Sequence, residues 1–156
     1  MAKSVEVSQS PGPVRRILAA VDGSEPAGRA LKWSIAMASG MGAEIVAVYA
    51  VAPFQDFSLG FGSGWVPPEA DADWLAAMKS TFESEWCAPL VESGLSHRMV
   101  FEVDRPATFI VDLAESEDAD IVVMGRRGLG GVKEMLLGSV SHEVAQHCRR
   151  PVLLIS

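Results

Sequence analysis

The sequence predicts an α/β domain built on an open, doubly wound parallel sheet with helices on both faces. Three observations carry that expectation. Four short, near-continuous apolar runs are bounded by turn residues, the pattern of strands buried on both faces, and a further strand, His97–Val103, has apolar residues at 99, 101 and 103. Segments with apolar residues at helical spacing separate them, giving the order β-α-β-α-β-α-β-α-β. Right-handed crossovers between successive parallel strands then place helices on both sides of one sheet.

The elements follow in order. Residues 1–14, MAKSVEVSQSPGPV, lack the apolar stretch of a signal peptide and are expected to form a disordered tail, leaving 15–156 as one domain. Arg16–Val21 is the first strand, ending at the turn Asp22-Gly23-Ser24. Ser24 is suited to cap a helix with Pro26 in its first turn and Ala27, Leu31, Ile35 and Ala38 along one side, stopped by Gly40 and Gly42. Glu44–Val51 is the second strand. Residues 52–70 are rich in Gly, Pro and aromatics and have no period. At about 19 residues that connection is unusually long. Its Phe54, Phe57, Phe61 and Trp65 would fold back on the core, meet another subunit, or cover a ligand.

Asp71–Ser93 is expected to be one helix, with Trp74, Met78, Phe82, Trp86 and Leu90 in steps of four and Pro89 kinking it or closing its last turn. His97–Val103, Ile121–Met124 and Val152–Ile155 are the remaining strands. A helix opened by Pro106 lies between the first two of these, and a helix carrying Val140, Val144 and Cys148 between the last two. The acidic run Glu115, Glu117, Asp118 and Asp120 is expected to be a solvated helix end.

Composition narrows the function classes. Hydrophobic residues make up 49% and charged residues 21%, enough apolar material for a core. Thirteen basic against twenty acidic residues give a net charge of −7, a poor match to nucleic acid. No apolar run approaches the roughly 18–20 residues of a membrane helix. Cys87 and Cys148 have no CxxC spacing and are expected to be reduced thiols of a cytoplasmic protein. His142 and His147 are five residues apart, about 140° around a helix, which argues against a shared metal.

A parallel sheet binds ligands outside the carboxyl ends of its strands. There the stretch Gly125–Gly138 joins a buried strand to a helix. It holds neither a Walker A loop nor GxGxxG. Yet glycines allow close backbone approach, and the N–H groups of a helix start can hold phosphate without a lysine. Ser139 and Ser141 add hydroxyls, and Arg126 and Arg127 add positive charge. A loop that merely turns the corner is the alternative.

Gly125-xx-Gly128, nine residues, then Gly138-Ser139 resembles the ATP-binding signature of the universal stress protein family. VDGSE at Val21–Glu25, IVVMGRRG at Ile121–Gly128 and RRPVLLI at Arg149–Ile155 are similar to that family too. The resemblance runs from about Arg15 to Ser156. It implies an adenine-nucleotide alpha-hydrolase-like sheet with strand order 3-2-1-4-5. It also implies a stress-response sensor or regulator that binds ATP, with ADP, AMP or cyclic AMP as alternatives and magnesium or manganese held through phosphates. Ala20, Val21 and Asp22 would then meet the adenosine, and Ala50 would line the adenine pocket. Met124 and Gly125 would border ribose and base, while Arg127, Gly128, Gly138, Ser139, Val140 and Ser141 would face the phosphates. Two residues depart from the pattern. Asp104 replaces a glycine, in a turn expected to persist because Asp tolerates left-handed backbone, and Tyr49-Ala50 replaces a common histidine-valine pair. The resemblance further implies a homodimer through Val152–Ile155, an edge strand in that order and so a template for pairing. No general base is placed for hydrolysis, so a slow ATPase and an interaction module remain the rivals.

Overall fold

The computed structural model describes residues 12–53, 72–129 and 137–156. Five strands form one sheet: β1 (Arg16–Ala20), β2 (Glu44–Val51), β3 (His97–Val103), β4 (Ile121–Gly125) and β5 (Val152–Ile155). All pairings are parallel and the order is β3-β2-β1-β4-β5. This is the expected architecture. β1 ends one residue before the expected boundary and β4 one residue after it.

Alternate residues of each strand face opposite layers. Ile17, Ala19, Ile45, Ala47 and Val123 pack with helix α1 (Glu25–Met41) and the 72–92 segment on one side. Leu18, Val46, Val48, Val122 and Met124 pack on the other with α4 (Pro106–Ser116) and α5 (Ser139–His147). Ile17, Leu18, Ile45, Val46 and Val122 have no exposed surface. Each such side chain contributes about 1.5–3 kcal/mol by leaving water, which is why continuous apolar runs, not alternating ones, code these strands.

Helix α1 starts as its sequence dictates. Ser24 Oγ accepts from the Ala27 N–H at 3.3 Å, Pro26 occupies the first turn, and Gly42 closes the helix in left-handed backbone at φ 68°. The expected Asp71–Ser93 helix is instead broken into α2 (Ala72–Thr81), a π-turn (Phe82–Trp86) and α3 (Ala88–Glu92). The Cys87 N–H donates to the Phe82 carbonyl, five residues back, at 3.0 Å. Pro89 has no N–H to offer the Glu85 carbonyl, so the regular ladder cannot pass through it. The extra residue in the turn lets Phe82, Cys87 and Leu90 all be fully buried, which an unbroken helix would not align so well.

The turn at Asp104 persists, but not by left-handed backbone. Its N–H donates to the Val51 carbonyl at 2.9 Å, and Asp118, at φ 51°, is the non-glycine residue in the left-handed region among those described. The acidic run after α4 is not merely solvated. Glu117 pairs with Arg98 and Arg16, Asp120 Oδ2 accepts from the Arg15 and Arg16 N–H groups at 2.7 and 2.9 Å, and Arg150 pairs with Glu115 and Asp118. With Glu44, which pairs with both Arg16 and Arg98, these contacts tie the amino ends of β1, β2 and β3 together, at the end of the sheet opposite its carboxyl ends. Residues 1–11 of the expected tail, the four aromatics Phe54, Phe57, Phe61 and Trp65, and residues 130–136 of the glycine-rich stretch lie outside the described residues.

Candidate functional site

Strand order reverses between β1 and β4, so the crevice at their carboxyl ends is the topological place for a ligand. Register puts Ala20 between Val48 on β2 and Met124 on β4, while Gly125 pairs with Ile155 on β5. Beyond that rung β2 continues through Ala50, which is 8% exposed. Val21 is buried, its N–H donating to the Val48 carbonyl at 2.9 Å, and so aims the next residue, Asp22, out of the sheet.

Asp22 is the hub. Its Oδ1 accepts from the Ser24 N–H at 3.0 Å and from Ser24 Oγ at 2.6 Å. Its Oδ2 accepts from the Leu129 N–H at 3.3 Å, bridging the first turn to the glycine-rich loop 107 residues later. A carboxylate has about four acceptor positions, so capacity is left for a ligand's hydroxyl or amino group.

The glycines have distinct duties. A β-carbon on residue 125 would lie 2.9 Å from the Ala27 N and the Pro26 carbonyl carbon, so Gly125 admits the first turn of α1 against β4. A β-carbon on residue 128 would lie 2.3 Å from Asp22 Oδ2, and one on residue 138 would lie 3.3 Å from Arg127 Cα. Gly128 and Gly138 therefore allow three backbone segments to converge.

The end of α5 is held by a single carbonyl. Arg126 O accepts from the Gly138 N–H at 2.9 Å and from Ser141 Oγ at 2.7 Å, while the Arg126 N–H donates to Ile155 O at 2.7 Å. Gly138 caps α5 without a side chain, and the first helical bond runs from the His142 N–H to the Gly138 carbonyl at 2.9 Å. The N–H groups of Ser139, Val140 and Ser141 thus have no carbonyl four residues behind them within the helix, and carry its positive dipole end. Ser139 is exposed, whereas the Ser141 side chain is buried and directed at the Arg126 and Gly138 carbonyls. Arg126 and Arg127 are half-buried beside this turn. The backbone carbonyl of Arg126 and the N–H of Leu129 were not singled out in the sequence. Main-chain groups carry no residue-type signal.

The structure therefore brings Ala20, Val21, Asp22, Met124, Gly125, Arg127, Gly128, Gly138, Ser139, Val140 and Ser141 to one end of the sheet, with Ala50 on the neighbouring strand. Cavities among the described residues also lie elsewhere. One of about 160 Å³ runs between α4 and α5, lined by Ala107, Val111, Asp112 and His147 among others. Another, about 370 Å³, sits among Arg15, Arg16, Asp118 and Asp120 near the amino ends of the strands. Among the described residues, no group of three or more His, Cys, Asp or Glu side chains is arranged to hold a metal, and no helix is long and apolar enough to cross a membrane.

The chain and its fold have known relatives. Residues 13–156 match the model of the universal stress protein family. The chain is 33% identical over 151 residues to universal stress protein Sll1388 of Synechocystis, covering 90% of this chain and 96% of that one. It superposes on the solved structure of hypothetical protein MJ0577 with a TM-score of 0.77 at 26% identity, covering 92% and 96% of the two chains. A universal stress protein from Archaeoglobus fulgidus, solved in complex with dAMP, shares the fold at a TM-score of 0.64 and 22% identity, over 92% and 98% of the chains. With a family match over residues 13–156 and a relative 33% identical over nearly the whole length, the chain belongs to the universal stress protein family.

Proposed function

We propose that this protein binds an adenine nucleotide, ATP foremost, and acts as a stress-response sensor or regulator. The observation that carries the reading is the convergence of the α5 N-terminus, Gly128 and the Asp22 carboxylate at the switch point of the sheet. N–H groups and a helix dipole at Ser139–Ser141 suit phosphate oxygens. Arg127 supplies positive charge in a chain of net charge −7. Asp22 is the acceptor for ribose hydroxyls or the base, and Ala20, Val21, Ala50, Met124 and Gly125 offer small, apolar surface to a flat ring. Ser139 donates its hydroxyl to a phosphate. Ser141 acts through its N–H, because its own hydroxyl is engaged with carbonyls. Magnesium or manganese would enter with the phosphates. That a fold neighbour was solved with dAMP supports testing adenine nucleotides first.

A homodimer through the β5 edge, Val152–Ile155, belongs to the same reading. β5 is the last strand of the sheet, and all four of its residues remain partly exposed.

Isothermal titration of protein stripped of carried-over nucleotide tests the binding. ATP, ADP, AMP or cyclic AMP should bind to the native chain. Gly138→Asp should abolish binding by setting a β-carbon against Arg127 Cα and a negative charge at the helix end that repels phosphate. A native chain that binds none of the four nucleotides overturns the proposal.

A further inference from the structure

The π-turn delivers Trp86 to the turn that carries Asp22. A β-carbon on residue 23 would lie 2.4 Å from both Cε2 and Cζ2 of the indole, and Gly23 itself sits at φ 81°. The indole thus lies flush against the Gly23 backbone, where no side chain fits. Away from Gly23 the indole meets an aromatic cluster. Tyr49 meets Trp86 edge-on with ring centroids 5.0 Å apart, and itself packs on Phe82 at 5.9 Å and Phe101 at 5.7 Å. Phe82 is fully buried. The Val21–Ser24 turn is therefore held on two sides. The sheet holds Val21 through the Val48 carbonyl, and an aromatic stack rooted in the core holds Gly23.

Between these anchors stands Asp22, whose carboxylate direction depends on the dihedrals of that turn. We propose that Trp86 is a positioning residue: by filling the space beside Gly23 it fixes the orientation of Asp22 toward the adenosine end of the ligand. The inference rests on the reading of Asp22 as an adenosine contact, and it adds the residue that orients that contact. Trp86 acts through Asp22 and touches no ligand. The α5 turn does not depend on it, since the Arg126 carbonyl holds Gly138 and Ser141.

A double-mutant cycle on the full chain tests this, with ATP as the probe and calorimetry as the readout. Trp86→Ala and Asp22→Ala should each weaken ATP about tenfold, the equivalent of one charge-assisted hydrogen bond. If Trp86 works only through Asp22, the double variant should also be about tenfold weaker, not a hundredfold, because coupled positions are non-additive. Trp86→Phe, which keeps a ring against Gly23, should stay within about threefold of the native affinity. Circular dichroism checks that each variant folds. If Trp86→Ala does not, Trp86→Leu takes its place in the cycle. Native affinity in Trp86→Ala, or losses that multiply in the double variant, overturns the inference. A native chain that binds no nucleotide overturns the proposed function instead.

Discussion

Gly128 passes so close to Asp22 that a β-carbon at position 128 would overlap the carboxylate, 2.3 Å from Oδ2. The same oxygen accepts the N–H of the next residue, Leu129, at 3.3 Å. The first turn of the chain and the glycine-rich loop are thus closed on each other through one side chain. Gly128→Ala should push Asp22 away from both partners. The atom struck is the end of a side chain, so the fold should survive, with a loss of about 1 kcal/mol in thermal unfolding. ATP affinity should fall at least tenfold, about 1.4 kcal/mol. Unchanged affinity would mean that Asp22 does not face the ligand.

Gly125 makes the opposite case. Its hypothetical β-carbon meets backbone, the Ala27 N and the Pro26 carbonyl carbon, both at 2.9 Å. Backbone cannot swing aside, so Gly125→Ala should force α1 off β4. Urea unfolding should register a loss of about 1–3 kcal/mol, the usual range for overpacking.

Arg98 bridges Glu44 and Glu117 at the far end of the sheet. Partial burial pushes the Glu44 carboxyl up, but hydrogen bonds from Arg98 and Arg16 outweigh it and hold the group below its ordinary value of 4.5. Glu117 is lowered from the same value chiefly by its hydrogen bond to Arg98. Depressed carboxyls bind fewer protons folded than unfolded, so their stabilisation is complete above about pH 4.5 and is lost as pH falls through the lower folded values. Arg98→Met should cost about 1 kcal/mol at pH 7, after allowance for solvent screening. That difference from the native chain should shrink toward zero on acidification below pH 4.5. A gap that is constant with pH would show that Arg98 acts through packing alone.

The two thiols should separate chemically. Burial, aided by the Glu83 carboxylate, pushes Cys87 up to about 12, and its side chain has no exposed surface. Cys148 is half-buried near the end of α5. At pH 8 a disulfide reagent should modify Cys148 first and reach Cys87 only on unfolding, a rate ratio of about a hundredfold or more. Equal rates, read by mass spectrometry, would contradict the packing of the π-turn.

Much of the fold is legible along the chain. The bounds of β2, β3 and β5 coincide with those read along the chain: β2 because a strand buried on both faces is apolar nearly throughout, β3 and β5 because apolar residues recur between turn residues on the two edge strands. The Ser24 cap and the Gly42 stop are equally local, since each depends on the chemistry of one residue. The 71–93 segment was less legible. Steps of four from Trp74 to Leu90 fit an unbroken helix, and only packing of Phe82, Cys87 and Leu90 together rewards an extra residue in the turn. The acidic run likewise reads as a solvated end, because its partners Arg16 and Arg98 lie at least 19 residues away in sequence.

The candidate site divides along the same line. Sequence alone determined which residue types stand at the carboxyl ends of β1 and β4, and that glycines and a helix start follow them. Tertiary structure decided what those residues do. Gly23 is a glycine because Trp86 lies against it, Gly128 because Asp22 does, and Gly125 because α1 does. Ser141 spends its hydroxyl on the Arg126 carbonyl. Composition and spacing record local backbone needs. Steric exclusion and hydrogen-bond pairing across tens of residues exist only once parallel strands have brought those segments to one end of the sheet.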